Sequence, residues 1–202
     1  SESSEKGRFD AAKMFRRETW RVGESAFAVL PLLIGTSMLD GFYGSYYNLN
    51  QLVFDAFDAP VSIIGIFFGA SYAVNATAYI AADLFSSRFG KRNTMLGSML
   101  IEAGLFMILP WFASNPLCLF GLSMVLCFLP EVVYITSENL IQDAIADDLR
   151  ATILSVASLV RALFSAMFFS IFGYVLGLYP IQIALGIIGA IAIAITAVVS
   201  LK

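Results

Sequence analysis

"DLFSSRFGKRN", residues 83–93, sets Arg88, Lys91 and Arg92 within five positions, between two long runs with almost no other basic residue. Three cations in a short turn cannot cross hydrocarbon, and the anionic inner leaflet of a membrane attracts them. Gly90 supplies the backbone freedom that a tight turn needs. The stretch therefore reads as a cytoplasmic turn between two membrane-spanning helices.

The rest of the chain agrees. It is 59% hydrophobic and 13% charged, with a mean hydropathy of +0.82, whereas a soluble domain carries about a quarter charged residues. Its 202 residues leave room for about six spans of roughly 20 apolar residues each. Apolar segments fall at 25–48, 60–84, 94–113, 116–138, 151–177 and 180–201. These are too long and too continuously apolar for barrel strands, so helices are expected to satisfy the backbone in lipid. The fold expected is an all-α integral membrane protein with six transmembrane helices.

The basic residues orient it. Lys6, Arg8, Lys13, Arg16, Arg17 and Arg21 precede the first span, Arg88, Lys91 and Arg92 lie between the second and third, Arg150 precedes the fifth, and Lys202 ends the chain. All fall on one side, while the opposite loops near 49–59, 113–116 and 177–180 hold none. Both termini are therefore expected in the cytoplasm, and the cell (inner or plasma) membrane is the expected location. Residues 1–24 read as a cytoplasmic basic linker or an interfacial amphipathic segment, with Phe9, Met14, Phe15 and Trp20 among the charges. The chain starts without an apolar leader and reads as arriving from an earlier membrane segment. Residues 25–202 are the expected six-helix bundle.

Several functions are disfavoured. The chain has no histidine, which excludes histidine-dependent metal sites and serine–histidine or cysteine–histidine catalysis. Cys118 and Cys127 lie in an apolar run and read as small hydrophobes. An enzyme, a cofactor, a metal site and a nucleic-acid partner are not expected.

"RFGKR" at 88–92, placed between a second and third span, resembles the end of the loop motif G-x-x-x-D-R-x-G-R-[RK] of the major facilitator superfamily of secondary transporters. Ser87 stands at the acidic position and Asp83 at the first glycine. "DDLRATILSVASLVRAL", residues 147–163, is similar to the cytoplasmic entry to the fifth helix of a C-terminal half, through Arg150, Ala151, Thr152 and Ser155. The resemblance implies two inverted three-helix repeats and an N-terminal six-helix half as partner. It also implies a gating role for Asp83, Arg88, Gly90, Lys91 and Arg92, through charged contacts with neighbouring helix ends. Asp83 or the acidic cluster Asp143, Asp147 and Asp148 are the candidate acceptors. A topology anchor and an anionic-lipid site are the alternatives for the same loop.

Asp40, Glu102, Glu131 and Arg161 fall inside spans, where an ionisable group marks a functional site by default. At a rise of 1.5 Å per residue, Glu102 and Glu131 are expected about 12 Å and Arg161 about 15 Å from the cytoplasmic ends of their helices, with Asp40 about 22 Å up the first, nearer the outer side. Arg161 keeps its proton and needs an anionic partner or water; Glu131 is the first expectation and Glu102 the second. Residues three or four apart share a helix face, which aligns Thr36, Asp40, Tyr43 and Tyr47; Tyr72, Asn75 and Tyr79; Cys127, Glu131, Tyr134 and Glu138; and Ser158, Arg161 and Ser165. The family implies that the first and fourth helices line a central cavity, with the second and fifth flanking it. Glu102, on the third, is expected to face the fifth helix or to carry a proton. Paired glycines such as Gly65 and Gly69, Gly173 and Gly177, and Gly186 and Gly189 are expected to allow close helix approach.

The function expected is half of a secondary transporter that moves a small organic solute by alternating access, coupled to H+. Asp40, Glu131, Arg161, Glu102, Tyr43, Tyr47, Asn75 and Tyr134 are the candidate substrate and proton residues. The alternative is a non-transporting six-helix membrane partner or scaffold, or a half that pairs with itself.

Overall fold

The structure, a computed structural model, describes residues 30–112, 114–145 and 150–200. The basic segment 1–24, Asp147, Asp148 and Lys202 lie outside the described residues. Those described form six helices and no strand: α1 over 30–56, α2 Val61–Phe89, α3 Lys91–Phe112, α4 Pro116–Ala144, α5 Arg150–Leu178 and α6 Ile181–Ser200. Helices α2 to α6 are each long and apolar enough to cross a membrane. Large apolar side chains such as Ile66, Ile80, Leu100, Trp111, Leu159 and Leu163 stand exposed around the bundle, a surface far more apolar than a water-soluble monomer tolerates.

The helix junctions follow from local chemistry. Gly90 alone separates α2 from α3, with φ +83° and ψ 147°, a backbone conformation essentially restricted to glycine. Asn115 caps α4 by accepting from the backbone N–H groups of Leu117 at 2.9 Å and Cys118 at 3.3 Å, and Pro116 follows at a position where its missing N–H costs nothing.

The expected loop at 49–59 is mostly helix. Asn48, Asn50 and Gln51 do not stop α1, because the helix keeps its own ladder and the side chains find other partners: Asn48 Nδ2 donates to the Gly44 carbonyl at 2.8 Å, and the buried Asn50 reaches Cys127 Sγ at 3.9 Å. The break comes at Asp58, with φ +54°, just before Pro60. Likewise α4 runs to Ala144 rather than 138, which moves its upper residues about 9 Å further from that helix end.

α3 packs along α4 and α6, α2 along α4, and α1 along α5 while also touching α3 and α6. The centre is aromatic. Phe42 of α1 is fully buried, with ring centroids at 5.8 Å from Phe106 of α3 and at 5.5 and 4.9 Å from Phe168 and Phe172 of α5. Edge-on contacts of this kind add to the area that they bury.

Close helix approach occurs at other glycines than most of those expected. A Cβ on Gly41 would lie 2.7 Å from Phe164 Cβ and from the Ser165 backbone nitrogen, and one on Gly189 would lie 2.8 Å from Met107 Sδ; Gly65, Gly69, Gly173, Gly177 and Gly186 have open space. The α1–α5 crossing is pinned beside Gly41 by Ser45, whose hydroxyl is shared between the Gly41 carbonyl at 2.6 Å and the Ser165 carbonyl at 2.9 Å.

Candidate functional site

Asp40, Tyr43 and Tyr47 recur along α1 at helical spacing, and Glu131 and Tyr134 do so along α4. Both faces turn toward a common space that α2 closes with Tyr72 and Asn75. The result is a half-open cavity of about 270 Å3. Six of the eight expected substrate and proton residues line it, namely Asp40, Tyr43, Tyr47, Asn75, Glu131 and Tyr134. Helices α3, α5 and α6 contribute nothing to its lining, although the fifth was expected to flank it.

Arg161 lies beside the cavity and holds two carboxylates. Its Nε meets Asp40 Oδ2 at 2.6 Å, its Nη2 donates to Glu138 Oε1 at 2.6 Å, and its guanidinium stands 4.6 Å from the centre of the Tyr134 ring. This corrects the expected pairing with Glu131 or Glu102. The reason is the length of α4: with the helix running on to Ala144, Glu131 sits higher and Glu138, two turns along the same face, meets Arg161. Asp40 is corrected too, since contact with Arg161 puts it at that residue's level rather than nearer the outer side.

Glu131 has a different neighbour. Asn75 Nδ2 donates to its Oε1 at 3.5 Å. With the amide oriented to satisfy all of its neighbours, Nδ2 instead donates to the carbonyl oxygens of Ser71 and Cys127 at 3.2 Å each. Next to Glu131, Pro130 has no N–H, so the Leu126 carbonyl lacks its helical donor. Leu126 and Pro130 both line the cavity.

Glu102 faces α1, not α5. It is fully buried, and the Tyr43 hydroxyl approaches its carboxyl without closing a hydrogen bond. Tyr43 itself stacks on Phe106, one turn from Glu102, with ring centroids 6.3 Å apart. Tyr43 thus stands between Glu102 and the cavity.

Among the other expected positions, Thr36 is buried and returns its hydroxyl to the Leu32 carbonyl at 2.9 Å, and Tyr79 lies exposed away from the cavity. The residues that the candidate set lacks are Glu138, Tyr72 and Asn48. The signal for Glu138 was present, because a residue seven beyond Glu131 returns to the same helix face.

At the α2–α3 turn, Lys91 forms an ion pair with Asp143 near the end of α4, and Arg92 Nη2 donates to the Ser200 carbonyl at the end of α6 at 3.5 Å. Arg88 stacks on the adjacent Phe89 ring at 5.6 Å. The turn therefore ties three helix ends together, with Asp143 as the acceptor. Ser87 donates to the Leu84 carbonyl within its own helix. No protein-family model matches the chain, and no curated protein matches it either.

Proposed function

We propose that the chain is the C-terminal six-helix half of a major-facilitator-type secondary transporter in the cell membrane, with α1 as the sixth span and both ends cytoplasmic. It moves a small organic solute by alternating access against an N-terminal half, coupled to H+. The observation that carries this reading is the constellation of Asp40, Glu138 and Arg161 beside Glu131, on three helices around one half-open cavity. Ionisable groups are costly at membrane depth and persist there for function.

Further support comes from the packing. Exchanging α1 with α4, α2 with α5 and α3 with α6 turns the α1–α5 contact into α4–α2, α3–α4 into α6–α1, and α2–α3 into α5–α6. Each of these contacts is present, as expected of two three-helix repeats. An odd number of spans in the first repeat would invert the second.

In this reading Glu131 takes a proton in one part of the cycle and loses it in another. Arg161 holds Asp40 and Glu138 together across α1, α4 and α5, so those helices move as a unit. The Lys91–Asp143 pair fastens the α2–α3 turn to α4 in one state of the cycle. Arg92 also stands at the rim of an apolar groove between α1, α3 and α6, which suits the headgroup of an anionic lipid.

Uptake of a panel of labelled amines, sugars and organic acids by proteoliposomes holding the full-length protein, with and without a pH gradient, tests the reading. At least one solute is expected to accumulate only with the gradient, and Asp40→Asn or Glu131→Gln is expected to abolish that accumulation. Gradient-driven uptake at the wild-type level in both variants contradicts proton coupling at these residues.

A further inference from the structure

The charges around the cavity do not balance. Arg161 is already held by Asp40 and Glu138 and stacked on Tyr134, so two carboxylates share one cation. Among the described residues no cation pairs with Glu131, which faces the neutral amide of Asn75. Among the described residues, no lysine or arginine lines the cavity. A carboxylate or phosphate entering it would meet the surplus negative charge at short range, where repulsion is strong.

The remaining walls are aromatic and apolar. Tyr43, Tyr47, Tyr72 and Tyr134 line the space together with Leu126 and Pro130, and the Tyr47 hydroxyl is anchored to Ser71 Oγ at 3.2 Å. Tyrosine faces attract cations, most strongly where water is thinned out. The Arg161 guanidinium over Tyr134 is one instance inside this site.

We infer that the solute is a small organic cation, an amine or quaternary ammonium with an apolar body, whose charge sits at Glu131 and whose body lies against Tyr47 and Tyr72. The inference rests on the transporter reading for its biological sense, but its chemistry is testable by binding alone.

Equilibrium binding to the full-length protein in detergent micelles is measured for three probes of similar size: benzyltrimethylammonium, benzyl alcohol and phenylacetate. Saturable binding of benzyltrimethylammonium alone is expected. Glu131→Gln should weaken it about tenfold or more and Tyr72→Leu about threefold, in keeping with a lost ion pair and a lost ring face. Tyr72→Phe and the still-charged Glu131→Asp should retain it. Phenylacetate or benzyl alcohol binding as tightly as the cation overturns the inference, as does an absence of saturable cation binding to the folded wild type. Those two comparisons need no variant, so a misfolded Glu131→Gln protein does not protect the claim. If proton-coupled uptake of a neutral or anionic solute is found, the inference fails while the transporter reading stands. If the cation binds but nothing is taken up, the reverse holds.

Discussion

Asn75 of α2 faces Glu131 of α4 across the cavity, its amide held at 3.2 Å from the carbonyl oxygens of Ser71 and Cys127. Asn75→Leu removes the hydrogen-bonding side chain that faces Glu131. Proton-driven uptake by this variant should fall about tenfold, the scale of one hydrogen bond to a charged group, with the protein still folded in the membrane. Uptake kinetics and thermal unfolding measured side by side check this.

The Arg161 cluster should show the asymmetry of desolvated charge. Arg161→Met strands Asp40 and Glu138 together without their cation. Because the three side chains are partly wet, the loss should be about 2 kcal/mol, less than for a fully buried pair, or roughly 4–8 °C in Tm. The triple variant Asp40→Asn, Glu138→Gln, Arg161→Met should be more stable than Arg161→Met alone. Thermal unfolding in micelles distinguishes the two outcomes.

Two glycines make opposite predictions. Gly41→Ala places a Cβ 2.7 Å from Phe164 Cβ and from the Ser165 backbone, so α1 and α5 must separate, at a cost of about 1–3 kcal/mol. Gly173→Ala meets open space in a helix interior and should be neutral or stabilising by about 0.5–1 kcal/mol. Unfolding midpoints of the two variants test both signs.

The Lys91–Asp143 pair is solvent-exposed on both sides, so removing it should change stability by less than about 1 kcal/mol. Its expected effect is on the conformational balance. Asp143→Lys should shift the accessibility of an engineered cysteine at the cavity mouth, and Lys91→Asp combined with Asp143→Lys should reverse the shift. Ser87→Asp, which restores an acid at the position where the loop motif has one, should move the same balance. A turn that serves only as an anchor would leave accessibility unchanged in all three.

Much of this was legible in the sequence, because hydropathy and helical spacing are local. The spacing of Asp40, Tyr43 and Tyr47, and of Glu131 and Tyr134, foretold which faces meet around the cavity. The helix ends were not legible. Asn48, Asn50 and Gln51 look like loop residues until a helix backbone and partners such as Cys127 are available to them. An error of six residues at the end of α4 was enough to give Arg161 the wrong partner, since each residue moves a side chain by about 1.5 Å along the axis. The direction in which Glu102 points depends on how α3 rotates against α1 and α4, and that is set by packing around Phe106. Nor did spacing alone single out Gly41, whose role appears only once α5 is laid across it.

The most direct test of the central claim is solute-driven proton movement across proteoliposomes that hold the full-length protein, followed with an internal pH indicator in wild type and Glu131→Gln. Adding a transported solute should move protons in the wild type, and Glu131→Gln should move none, any solute exchange that it keeps running with a raised KM and without protons. Equal proton movement in both proteins would contradict the account.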